Sequence, residues 1–182
     1  MFKKKMLGLI LLSAVLLLGS SCKGEDPQEA VARQFLTNFY TSNLEGRYDG
    51  YLKFQERINA GETLSPEEFE KEIRGYHRSI GDLMTEKGLF DLIKNDFMVV
   101  LDKTMAKKNH HTVVKEVKPV DAGEAKTIEN AKNWTYEVKV EILDEKDEVV
   151  GESIQKGSLI LSSGEDPKIL SFHQDNMEDF FK

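Results

Sequence analysis

The spacing of hydrophobic residues changes once along this chain, near residue 107, and that change determines the predicted fold class. Before it, apolar side chains recur every three or four positions, as they do along one face of an α-helix. After it, apolar and polar side chains alternate, as in a β-strand that is buried on one face. Helices followed by consecutive strands indicate an α+β domain, with helices packed on one face of an antiparallel sheet.

Two capping signals mark the starts of predicted helices. Asp26–Glu29 and Ser65–Glu68 each contain a capping side chain, a proline at the first helical position and a glutamate at the third, which is the pattern of a capping box. Three amphipathic helices are predicted, with apolar faces formed by Val31, Phe35, Leu36, Phe39 and Tyr40, by Leu44, Tyr48, Tyr51, Leu52 and Ile58, and by Phe69, Ile73, Tyr76 and Ile80. A short helix is predicted around Leu89–Ile93, and Phe97–Leu101 fits either a helix or a strand.

Four strands are predicted after the change of period, over residues 110–120, 134–142, 148–162 and 168–174. The first is an edge strand, because Pro119 lacks the N–H that an interior strand donates. Trp134–Ile142 has the most regular alternation of the chain. In the third strand the apolar residues change faces, which predicts a β-bulge near Gly157.

The order of these elements across residues 27–174 resembles the cystatin-like and nuclear-transport-factor-2-like group. The resemblance implies a curved antiparallel sheet of about four strands that wraps around the helices to form a cone. It further implies a possible pocket inside the cone, for which Tyr40, Tyr48, Tyr51 and His173 are the candidate lining residues. Enzymes with this fold use an Asp or His beside a Tyr, and Asp49 or His173 would be the analogues here. None of them lies in a family motif, so the chain is more consistent with a protein that is not an enzyme, and no cofactor is expected.

The first 22 residues resemble the lipobox signal peptide of bacterial lipoproteins. Three lysines precede an apolar run from Met6 to Leu18, which is followed by small residues and Cys22. The run is shorter than the roughly 20 residues that span a bilayer. The resemblance implies removal of residues 1–21 and attachment of diacylglycerol, with acyl chains such as palmitate, to Cys22. An ordinary secretory signal with an incidental cysteine is the alternative.

The chain that remains after cleavage has 161 of the 182 residues, which indicates the lipidated cysteine and a short tether over 22–26 and a single domain over 27–182. Without the three lysines of the leader, it has 22 basic and 32 acidic side chains, a balance of −10. Nucleic acid is therefore an improbable partner, because it is bound by clustered Lys and Arg. Cys22 is the only cysteine, so we expect no internal disulfide.

Other chemical motifs are weak. His110 and His111 are neighbours on a predicted strand, so they point to opposite faces and do not share a metal ion. His77 lies beside a helix stripe, and the acidic turn Asp144–Asp147 lacks the glycine of a calcium loop. No metal site is expected. A short apolar stripe at Met177, Phe180 and Phe181 is expected to fold back on the sheet, with recruitment of a partner as the alternative.

These observations favour a non-catalytic binding module, anchored by lipid to the cell membrane or outer membrane on the exported side. The tether of four residues, Lys23–Asp26, spans at most about 14 Å, which favours a protein partner in or near the same membrane. A small-molecule carrier that uses the cone as its pocket is the alternative, followed by an enzyme of the isomerase or dehydratase type.

The lipobox gives a direct prediction about maturation. A Cys22→Ser variant is expected to lose lipid labelling and to remain uncleaved, because the cysteine sulfur is the atom that receives the diacylglycerol. Metabolic labelling with a radioactive fatty acid and a gel-mobility assay measure both effects. A variant that is processed and retained on membranes like the wild type would refute the lipoprotein interpretation.

Overall fold

The computed structural model describes residues 26–95 and 97–175. The lipobox segment with Cys22 and the stripe at Met177, Phe180 and Phe181 lie outside these residues. The helices are α1 (Pro27–Tyr40), α2 (Arg47–Asn59), α3 (Pro66–Tyr76), α4 (Arg78–Gly81), α5 (Glu86–Asn95) and α6 (Phe97–Lys107), with a 3-10 turn at Leu44–Gly46. The strands are β1 (His111–Glu124), β2 (Ala131–Leu143), β3 (Val149–Ser162) and β4 (Ile169–Gln174).

The strands form one antiparallel sheet in the order β1-β2-β3-β4, with the helices against it. The α+β prediction is therefore confirmed, and so is the edge position of β1, which contains Pro119. Within the described ranges, no helix is long and apolar enough to cross a membrane.

The predicted N-cap at Asp26 and the predicted capping box at Ser65 are confirmed, whereas the Glu29 carboxylate binds Arg33 and completes no box at Asp26. The Asp26 side chain accepts from the backbone N–H of Gln28 at 2.9 Å. Ser65 accepts from the N–H of Glu68 while the Glu68 carboxylate accepts from the N–H of Ser65, so donors at the start of α3 are satisfied. The ambiguous run at Phe97 becomes the first turn of helix α6.

The core lies between α1 and the inner face of the sheet. The alternating residues Trp134, Tyr136, Val138 and Val140 of β2 are all buried there. Phe39 of α1 packs on Phe172 of β4 with ring centroids 4.7 Å apart, and Phe172 stacks on Tyr136 at 6.0 Å. Aromatic side chains of α1, β2 and β4 therefore fill the region where the cone resemblance placed a pocket.

The predicted bulge near Gly157 is wrong. The β2–β3 register runs without a shift from Ala131↔Ser162 to Ile142↔Gly151. The apolar pattern changes because two inward positions, Ser153 and Gln155, are polar, whereas Ile154 faces outward and is 52% exposed. Gln155 donates to the Ser153 hydroxyl at 2.7 Å, which satisfies polar groups that burial would otherwise destabilise.

The predicted apolar face of α2 is also partly wrong. Leu52 and Ile58 are exposed, whereas Phe54 is buried. Helix α2 packs on α3 and α6, so it lies in a second layer and buries only a narrow stripe. The predicted apolar face of α3 is likewise only partly buried, because Phe69 is 50% exposed.

Gly157 is required by close packing. A Cβ atom there would lie 2.1 Å from the His173 carbonyl oxygen and 2.6 Å from the Tyr136 hydroxyl. The glycine thus allows Tyr136 and β4 to approach β3 closely, and the Tyr136 hydroxyl lies 3.2 Å from the His173 carbonyl that accepts from it.

A pair of alanine substitutions tests this packing. Gly157→Ala is expected to lower the free energy of unfolding by about 1–3 kcal/mol, because a rigid backbone has to shift. Gly50→Ala is the control: no atom lies within 4 Å of its added Cβ, and alanine in a helix interior is expected to stabilise by roughly 0.5–1 kcal/mol. Urea unfolding measures both. Equal stability of Gly157→Ala and wild type would contradict the close approach.

Candidate binding groove

An open groove of about 630 Å³ lies between α3, α5 and the start of α6. Its apolar floor is formed by Tyr51, Ile73, Tyr76, Leu89, Ile93 and Val99. Volumes of 300–1,000 Å³ and mostly apolar walls are typical of ligand sites in proteins. Three other depressions in the described part of the chain are smaller, with volumes of about 70, 130 and 390 Å³.

Two phenylalanines form the lips of the groove. Phe69 of α3 is 50% exposed and Phe90 of α5 is 59% exposed. Phe69 packs edge-on against Phe54 with centroids 5.7 Å apart, and the Lys94 ammonium lies 4.2 Å from the centre of the Phe90 ring. A large aromatic ring held in place and left half exposed is typical of an interaction surface.

Charged side chains form the rim. Arg74 of α3 contacts Glu70 of its own helix at 2.8 Å and Glu86 at the start of α5 at 3.7 Å, so it bridges the two walls. With Lys94 at the other end, the rim has two acidic and two basic groups. Its charge is therefore balanced, and the apolar floor is the dominant feature.

A buried ion pair lies beneath the groove. Arg47 of α2 binds Asp102 of α6 through two hydrogen bonds, Nε to Oδ2 at 2.7 Å and Nη2 to Oδ1 at 3.0 Å. The Tyr76 hydroxyl donates to Oδ2 at 2.7 Å and the Asn43 backbone N–H to Oδ1 at 2.7 Å. Arg47 also donates to the Asn38 carbonyl at the end of α1. The pair thus joins α1, α2, α3 and α6.

This cluster contains an Asp beside a Tyr, the combination sought for an enzyme of the cone fold. Burial and, secondarily, the charge of Asp102 raise the pKa of Tyr76 far above its usual value, so the phenol stays protonated and donates. The Asp102 carboxylate accepts four hydrogen bonds and its side chain is fully buried. Its geometry is that of a structural anchor and leaves no lone pair directed at a cavity.

The four predicted pocket residues do not surround one cavity. Tyr51 lies in the groove and stacks on the buried Tyr48, with centroids 6.0 Å apart. Tyr40 is buried in the sheet core, where its hydroxyl lies 3.0 Å from that of Tyr136. His173 points outward with its side chain 72% exposed, 3.6 Å from Asp175. A register shift in the β3–β4 pairing adds one residue to β4 between Ile169 and Ser171. The inward residues of β4 are therefore Ile169 and Phe172, and His173 faces outward.

The other histidines are separate from one another. His77 is buried in the groove floor with Nδ1 2.9 Å from the Ile73 carbonyl. His111 contacts Asp147 of the β2–β3 turn at 3.2 Å. Asp144 in that turn accepts from the backbone N–H groups of Lys146 and Glu148, as a hairpin tip does. Within the described ranges, no three His, Cys, Asp or Glu side chains cluster in a metal-binding arrangement.

Sequence reasoning missed both lips of the groove. Phe69 was assigned to a buried stripe, and Phe90 was not assigned at all. One signal was present: a helix that buries Leu89, Leu92 and Ile93 turns Phe90 away from that face. No local pattern joins Arg47 to Asp102, which are 55 positions apart.

Comparisons with known proteins give one distant structural likeness. No protein-family model matches the chain, and no curated protein matches its sequence. A solved structure described as a periplasmic fragment of TraM matches with a TM-score of 0.47 and 10% sequence identity, over 83% of this chain and 96% of that one.

Proposed function

We propose that this protein is an exported, lipid-anchored lipoprotein whose domain is a non-catalytic binding module for a protein partner at or near the membrane. The observation that carries the proposal is the groove with its two half-exposed phenylalanines. Lipid attachment rests on the lipobox resemblance that ends at Cys22.

The anatomy of the groove fits a protein partner. Binding energy at protein interfaces concentrates in aromatic anchors near the centre, surrounded by a polar rim that excludes water. Phe69 and Phe90 supply such anchors, and the charged side chains Arg74 and Glu86 line the same groove. An amphipathic helix laid between α3 and α5 would bury both rings.

The position of the groove fits a partner near the bilayer. With lipid on Cys22, the start of α1 faces the membrane because the tether is short. Gln28 donates to the Ser162 carbonyl, and Ser162 N–H donates to the Lys168 carbonyl, so the β3–β4 turn lies at this same end. Lys168 in turn contacts the Asp82 carbonyl just before α5. The groove, whose rim includes the first residue of α5, therefore begins near the membrane-facing end.

A small apolar molecule is the second candidate ligand. The groove volume of about 630 Å³ lies within the usual range for such ligands. For this alternative we propose the groove as the binding site, because aromatic side chains of α1, β2 and β4 fill the interior of the cone.

Site-specific photo-crosslinking tests the protein-partner proposal. A photoreactive phenylalanine analogue at position 90, in the chain expressed in its own host, is expected to give a defined protein adduct in the membrane fraction. Position 120 is the matched control, since Val120 is equally exposed but lies on the outer face of the sheet. A Phe90→Asp substitution should abolish capture in an independent pull-down, whereas Val120→Asp should not. Both positions are exposed, so both variants should keep their melting temperatures.

The outcomes separate the candidates. No adduct at position 90, or equal adducts at 90 and 120, would contradict a protein partner in the groove. A native mass spectrum in which the wild type retains a small molecule that Phe90→Asp loses would favour the carrier.

A further inference from the structure

The exposed face of α5 carries an acid, an aromatic ring and a base in a regular order. Glu86, Phe90 and Lys94 follow one another at intervals of four residues, so they lie on one face of the helix, about one turn apart. The side chains of Glu86 and Lys94 are 89% and 60% exposed, and Phe90 is 59% exposed. All three line the groove. This stripe is therefore accessible to a binding partner.

The stripe is its own complement when two copies of α5 pack antiparallel. A two-fold axis through Phe90 would place the two Phe90 rings on each other and Glu86 of each copy opposite Lys94 of the other. Both charged residues lie about 6 Å from Phe90 along the helix axis, so both ion pairs would form at once. A self-complementary surface is what a two-fold contact between identical chains requires. Parallel packing would instead bring like charges together.

The ion pairs that these two side chains make within the chain are long. Glu86 lies 3.7 Å from Arg74, and Lys94 lies 3.9 Å from Asp91. Exposed ion pairs of this kind contribute little to stability. The Lys94 ammonium also lies 4.2 Å from the centre of the Phe90 ring, so its charge is beside the ring that a second copy would cover. Both charges can therefore pair with a second copy at little cost to the monomer.

The charge of the α5 face permits this contact, although the domain as a whole is acidic. Without the leader, the chain has 22 basic and 32 acidic side chains, and a net charge of this size keeps copies of a protein apart. Over Glu86–Asn95, the exposed charged residues are two acids, Glu86 and Asp91, and two bases, Lys87 and Lys94. Two copies that meet through α5 therefore face each other without net repulsion at the contact.

We infer that the partner at this groove is a second copy of the same chain, bound through an antiparallel α5–α5 contact centred on Phe90. The inference rests on the proposed function, because it names the protein partner. A second copy with the same lipid anchor would lie in the same membrane. The paired Phe90 rings would be removed from water and packed against each other, which is a favourable arrangement for aromatic side chains.

Photo-crosslinking of two distinguishable copies tests the inference. Chains with different epitope tags and a photoreactive phenylalanine analogue at position 90 are expressed together in their own host. An adduct of twice the mass of the chain that carries both tags is expected. An adduct at position 90 with a different protein would overturn the second copy as partner and leave the proposed function standing. The absence of any adduct at position 90 would contradict both.

Charge reversal tests the antiparallel geometry. Glu86→Lys and Lys94→Glu should each lower the yield of the two-tag adduct by about tenfold or more, because each places like charges in contact twice. Both substitutions in one chain should restore the yield, since the pairs form again with the charges exchanged. The two single variants, expressed together with different tags, should also form the adduct.

The matched control is a charge reversal on the outer face of the sheet. Glu137 contacts Lys156 at 3.0 Å, and Glu137→Lys should leave the yield of the two-tag adduct unchanged. All three substituted side chains are at least 40% exposed, so the melting temperatures should stay close to that of the wild type. Single reversals without effect on the yield, or a double variant as weak as the single variants, would overturn the antiparallel contact.

Discussion

The ion pair between Arg47 and Asp102 holds the helical layer of this protein together. Both side chains are almost fully buried, and removing two charges from water costs several kcal/mol per ion unless the geometry and the surrounding hydrogen bonds compensate. Here each carboxylate oxygen of Asp102 accepts two hydrogen bonds: Oδ1 from Arg47 and Asn43, and Oδ2 from Arg47 and Tyr76. These bonds fix where α2, α3 and α6 lie relative to the end of α1.

The groove depends on that arrangement. Tyr76 belongs both to the ion-pair cluster and to the groove floor, and Tyr51 packs against its ring at 5.4 Å. On the other side, Gly88 of α5 lies so close to β4 that a Cβ would be 2.9 Å from the Ile169 carbonyl. The α3 wall is thus positioned by the ion-pair cluster, and the α5 wall by the close approach of its backbone to β4. Phe69 and Phe90 are exposed at the edges of these two walls. An aromatic side chain has few rotatable bonds and so loses little conformational entropy on binding, which supports the proposed recognition of a partner.

The sequence predicts the fold well because its strongest signals are local. The N-cap at Asp26, the capping box at Ser65 and the alternation in Trp134–Ile142 each determine an element within a few residues. The site was less predictable because it depends on tertiary packing. Ser153 and Gln155 face inward although they are polar, so the alternation in β3 wrongly indicates that they face outward. Phe69 has the spacing of a buried helix face, but its helix does not pack directly on the sheet, so the ring is half exposed. Arg47 and Asp102 are 55 positions apart, so no local pattern predicts their contact. The aromatic residues Tyr40 and Tyr48 were correctly predicted to be inward-facing, but they pack in the core and do not line a cavity.

A double-mutant cycle on Arg47 and Asp102 tests this account most directly. Each single substitution, Arg47→Met or Asp102→Leu, leaves an uncompensated buried charge and is expected to lower the free energy of unfolding by about 3–5 kcal/mol. The double variant removes both charges, so its loss should be smaller than the sum of the single losses by at least about 2 kcal/mol. Losses that add within about 0.5 kcal/mol would show that the two residues act independently and would contradict the central role of the ion pair.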